Sequence, residues 1–161
     1  MSRVALFLSS MVVMVVLAAG VALAASITCD GGACLGTNAP DNITGSNSGD
    51  VITAASGADI VNARGGNDTV YGDNQGDTLN GGANSDYIEG GRGDNVARGN
   101  EGDGDVVNVV DGDGNDFASG GDGDDDVCII DDESAVVFGG ATATADDYSA
   151  SCEVVYATFE I

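Results

Sequence analysis

Apolar residues recur along this chain with a step of nine. Ile43, Ile52, Val61, Val70, Leu79, Ile88, Ala97, Val107, Ala118 and Val127 hold the same place in ten successive units, and all ten are apolar. In a chain that is 43% apolar such agreement arises by chance on the order of once in several thousand, so the column is a packing stripe. One inward apolar residue per unit is the core of a solenoid, in which each unit buries its face only against its neighbours.

The polar positions keep the same step. Asp recurs at 41, 50, 59, 68, 77 and 86, and Asn95 continues the series. The units read GTNAPDNIT from residue 36, then GSNSGDVIT, AASGADIVN, ARGGNDTVY, GDNQGDTLN, GGANSDYIE and GGRGDNVAR, without a gap to Arg98. The phase then slips through the ten-residue GNEGDGDVVN (99–108) and the inserted Val109-Val110, before DGDGNDFAS (111–119) and GGDGDDDVC (120–128). Glycine at the fourth place of a unit (Gly57, Gly66, Gly93, Gly102, Gly114, Gly123) permits the positive φ of a tight turn. Each unit therefore predicts a six-residue glycine and aspartate turn followed by a three-residue strand, and two units make one coil.

Stacked coils place the aspartates in two columns: Asp41, Asp59, Asp77 and Asn95 on one edge, and Asp50, Asp68, Asp86 and Asp105 on the other. Neighbours in a column are about 5 Å apart, the strand-to-strand spacing. Several such repulsions together rival the roughly 5–15 kcal/mol that holds a domain folded. A cation between turns reverses the sign. Calcium suits the place because it takes six to eight hard oxygen ligands, which carboxylates and turn carbonyls supply together; magnesium matches such flexible turns less well.

Composition narrows the function further. The chain carries 27 acidic residues against Arg3, Arg64, Arg92 and Arg98, a formal charge of −23, with neither Lys nor His. That charge repels nucleic acid and anionic membranes and favours cations or basic surfaces as partners. Without His there is no Ser/His/Asp triad or His-ligated zinc, and without Lys no Schiff base, so a non-catalytic protein is expected. The outward strand positions Thr69, Tyr71, Asn80, Tyr87 and Glu89 show no repeated binding face, which leaves a protein or glycan partner unassigned.

Residues 1–24 read as a signal peptide: Arg3, an apolar run from Val4 to Leu23, and the small-x-small site Ala22-Leu23-Ala24. An uncleaved membrane anchor is the competing reading of so long an apolar run. Cleavage removes one Arg and no acid, giving 3 − 27 = −24 for a secreted, extracellular chain with no membrane attachment. The four cysteines, Cys29, Cys34, Cys128 and Cys152, all follow that site, and an even count in an exported chain favours disulfides. Of the three possible connectivities, Cys29 with Cys34 and Cys128 with Cys152 is favoured, because each pair lies at one end of the array.

These repeats resemble the hemolysin-type calcium-binding (RTX) family, whose nonapeptide is G-G-x-G-x-D-x-U-x. The likeness spans residues 36–128; GGDGDD (120–125) is complete, ARGGND, GGRGDN and DGDGND are close, and GTNAPD is poor. The resemblance implies an all-β fold, a right-handed parallel β-roll, with Ca²⁺ held between turns by backbone carbonyls and the sixth-place Asp. Carried over, the ligands are Asp50, Asp59, Asp68, Asp77, Asp86, Asp116 and Asp125, and the second column adds Asp105. Asp41, beside Pro40, is expected to be a structural end turn, and Asn95 leaves its site one charge short. The expected organisation is a signal peptide (1–24), an amino-terminal cap (25–35), the β-roll (36–128) and a carboxy-terminal cap (129–161). Within that last cap Val136, Val137, Phe138, Val154, Val155, Tyr156 and Phe159 suggest one or two short strands.

Overall fold

A computed structural model describes residues 23–111 and 115–130, together with the backbone of two short strands at 136–137 and 152–156. Residues 1–22 of the predicted signal peptide, Phe138 and Phe159 lie outside the described residues. Among the described residues no helix is long and apolar enough to cross a membrane.

The chain alternates between two faces. Strands β1 (Ser26–Thr28), β3 (Asn42–Thr44), β5 (Ile60–Gly65), β7 (Thr78–Ala83), β9 (Val96–Glu101), β11 (Phe117–Asp122) and β13 (Val136–Val137) form one parallel sheet in that order. Strands β2 (Gly32–Leu35), β4 (Asp50–Thr53), β6 (Thr69–Tyr71), β8 (Tyr87–Glu89), β10 (Val106–Asn108), β12 (Asp126–Ile130) and β14 (Cys152–Tyr156) form the other. Every strand pairs with the strand two places on in sequence, which makes the fold an all-β parallel solenoid of about six turns. The segment expected as the amino-terminal cap supplies β1 and β2, the first rung of each sheet. Cys29 and Cys34, bonded to each other, tie those two strands together.

Strand period two sets the interior. The sixth and eighth places of a unit and the first place of the next point inward, so the core holds an aspartate, an aliphatic and a small residue in turn. Ile43, Ile52, Val61, Val70, Leu79, Ile88, Ala97, Val107 and Ala118 are fully buried, as the apolar column predicted. Position one is Gly or Ala wherever it is buried between Ala54 and Gly99, and at its glycines, Gly72, Gly81, Gly90 and Gly99, a Cβ would meet the backbone of the next coil or the inward Asp or Asn side chain of the same unit.

The tenth unit departs from the sequence reading. Cys128, not Val127, enters the core, since Val106 pairs with Val127 and Val107 with Cys128. The unit from Gly120 contains one more turn residue than the nonapeptide, like the unit from Gly99, and a shift of one residue exchanges inward for outward side chains. Cys128 is also disulfide-bonded. Its expected partner, Cys152, falls in β14, whose side chains lie outside the described residues.

Candidate metal centre

The aspartate columns are hydrogen-bonded ladders. On the edge leading into β3, β5, β7, β9 and β11, the N–H of Asp41 donates to Asp59 Oδ1 (2.6 Å), that of Asp59 to Asp77 (2.8 Å), that of Asp77 to Asn95 (2.9 Å), and that of Asn95 to Asp116 (2.8 Å). On the opposite edge Asp50 donates to Asp68 (2.7 Å), Asp68 to Asp86 (2.9 Å), Asp86 to Asp105 (2.7 Å), and Asp105 to Asp126 (2.9 Å). The sixth-place side chain thus continues the sheet's hydrogen bonding around the corner of each coil, where the backbone has turned away from its neighbour.

This places the sequence-derived ligands. Asp59, Asp77 and Asp116 share one ladder, and Asp50, Asp68, Asp86 and Asp105 the other; all are buried. Asp125 does not join them. It is exposed, at φ +63°, and Asp126 takes the inward place. Three consecutive aspartates concealed the extra residue in that turn; only alignment with the ten-residue unit from Gly99 could have revealed it.

One carboxylate oxygen per residue is occupied by the ladder. The other, Oδ2 of Asp59, Asp68, Asp77, Asp86, Asp105 and Asp126, is buried with no hydrogen-bond partner. A buried carboxylate without a partner is costly, and it relieves that cost by holding a proton or a cation. Burial, opposed by the ladder hydrogen bond and aided by the next aspartate in the column, pushes Asp77 and Asp86 up to about 7 and Asp105 up to about 6. Desolvation likewise raises Asp59, Asp68 and Asp126.

The first two units solve the problem differently. Thr37 donates both its N–H and its hydroxyl to Asp41, whose other oxygen accepts the N–H of Ala25. Both carboxylate oxygens of Asp41 therefore have hydrogen-bond partners within the protein. Ser46 closes Asp50 in the same manner, through its N–H and hydroxyl on Oδ2, and leaves Oδ1 without a partner. From the third unit onward the second place, among the described residues, is left-handed, at Ala55, Arg64, Asp73, Gly82, Gly91, Asn100 and Gly121. Among the described residues no second-place N–H after Ser46 reaches a sixth-place carboxylate. The sequence does carry a signal for this switch: the second place is a hydroxyl residue, Thr37 or Ser46, in the first two units and Ala, Arg, Asp, Gly or Asn thereafter.

The donor set fits a hard divalent cation. No three acidic side chains converge among the described residues, so an ion would be shared by carboxylates of successive coils and completed by backbone carbonyls. That ligand chemistry is calcium's. Comparison with known families finds the RTX calcium-binding nonapeptide repeat over residues 35–70, 71–106 and 108–128. No curated protein and no solved structure matches the chain.

Proposed function

Since the chain belongs to the RTX calcium-binding nonapeptide repeat family, we propose that it is an extracellular, non-catalytic calcium-binding protein whose roll folds as its turns fill. The observation that carries this reading is the row of buried, partnerless Oδ2 atoms from Asp68 through Asp86 and Asp105 to Asp126. Asp59 and Asp77 add a shorter row on the other edge. Calcium neutralises adjacent carboxylates and supplies the contact that Oδ2 lacks, so binding free energy becomes folding free energy.

Export rests on residues 1–24 and on the cysteines, which suit an oxidising compartment. The lack of His and Lys and the use of the acids in ladders support a role without catalysis. Circular dichroism of the full chain with calcium and with chelator tests the folding claim: a strand spectrum that weakens and melts at lower temperature in chelator, and is restored by calcium, is expected. A spectrum indifferent to chelator refutes it. Sequencing the amino terminus of secreted material tests the export claim, with Ala25 expected as the first residue.

A further inference from the structure

Asn95 occupies a ladder place that is otherwise acidic, and it is fully buried. Its Oδ1 accepts the N–H of Asp77, as an aspartate would. Its Nδ2 stands where the neighbouring units put the partnerless Oδ2. A Cβ on Gly90 would meet Asn95 Nδ2, just as one on Gly72 would meet Asp77 Oδ2 and one on Gly120 would meet Asp126 Oδ2. That Nδ2 is not partnerless: it donates to the carbonyl oxygen of Gly91 at 3.1 Å.

We propose that Asn95 is a built-in substitute for a cation, its amide closing by hydrogen bond the turn that calcium closes beside the aspartates. The proposal rests on the calcium reading and goes beyond it, because it assigns the ions unequally to the two edges. On the edge containing Asn95, Thr37 satisfies Asp41 and the amide satisfies position 95, so Asp59 and Asp77 are the adjacent carboxylates left to share an ion there. On the other edge Asp68, Asp86, Asp105 and Asp126 follow one another without a break. Calcium therefore forms a continuous row on one edge and an interrupted row on the other, and the coil at Asn95 is closed whether or not calcium is present.

The test is Asn95→Asp in the full chain, with calcium stoichiometry by calorimetry and thermal unfolding in chelator. The variant is expected to bind at least one more ion than the parent, in the gap to Asp77 or the gap to Asp116, and to unfold at lower temperature in chelator, because a donor facing the Gly91 carbonyl has become an acceptor. The converse change, Asp77→Asn, is expected to lose an ion and to raise the unfolding temperature in chelator, which guards against Asn95→Asp merely failing to fold. Equal stoichiometry in Asn95→Asp and parent overturns the proposal. If the parent binds no calcium, the functional reading fails, and the chelator measurement alone judges the amide: unchanged unfolding of both variants overturns it as well.

Discussion

Asp86 stands in the middle of the unbroken ladder and carries two separable roles. Its Oδ1 accepts the N–H of Asp68, and its partnerless Oδ2 belongs to the row of proposed calcium ligands. Asp86→Ala removes both. Stranding the buried Asp68 N–H costs about 1–3 kcal/mol whether or not calcium is present. Asp86 adjoins Asp68 on one side and Asp105 on the other, and each between-coil ion lost costs about 2.7 kcal/mol at a calcium concentration one hundred times its Kd. Losing both neighbouring ions therefore adds about 5 kcal/mol in calcium. Asp86→Asn keeps the ladder acceptor and removes only the charge, so it should lose the calcium-dependent part and match or exceed the parent in chelator. Urea unfolding followed by circular dichroism, in saturating calcium and in chelator, measures both parts. The reasoning fails if Asp86→Asn is as stable as the parent in calcium, or if the Ala and Asn variants are equally stable in chelator.

The raised carboxyls fix a pH dependence for the calcium-free protein. Asp77 and Asp86, near 7, and Asp105, near 6, keep protons in the folded chain that the unfolded chain has released. The folded state thus binds more protons from about pH 4 to about pH 7, and its stability falls as pH rises through that window. Chelated protein should be more resistant to urea at about pH 5 than at about pH 8, and calcium should abolish or invert the difference; a chelated protein that gains stability over the same rise would contradict the burial of these groups. In the core, Leu79 is fully buried and stacked in register between Val61 and Ala97. Leu79→Ala should cost about 2–5 kcal/mol in saturating calcium, and a loss well under 1 kcal/mol would mean the stripe does not hold the coils together.

The solenoid was legible because its period is carried by two independent columns, the aliphatics and the aspartates, and stacking demands both. What escaped the sequence depended on backbone direction. Thr37 and Ser46 aim N–H groups at their aspartates, whereas Arg64 and Asp73, at the same place in later units, are left-handed; the hydroxyl residues confined to the first two units were the mark of the change, and the sequence reading did not use it. The final turn failed for a different reason. Asp124, Asp125 and Asp126 are chemically identical, and choosing among them needed the pairing of Val107 with Cys128, a residue read as a cystine rather than as core. The amide at Asn95 was visible only as a missing charge; its hydrogen bond to Gly91 turns that absence into a function of its own.

The most direct test of the central claim is an anomalous difference map from crystals grown in calcium. Peaks in contact with Asp68, Asp86, Asp105 and Asp126 along one edge, and beside Asp59 and Asp77 on the other, are the predicted result. Peaks confined to exposed acids such as Asp73, Asp103 and Asp124, with the inner ladders bare, would contradict it.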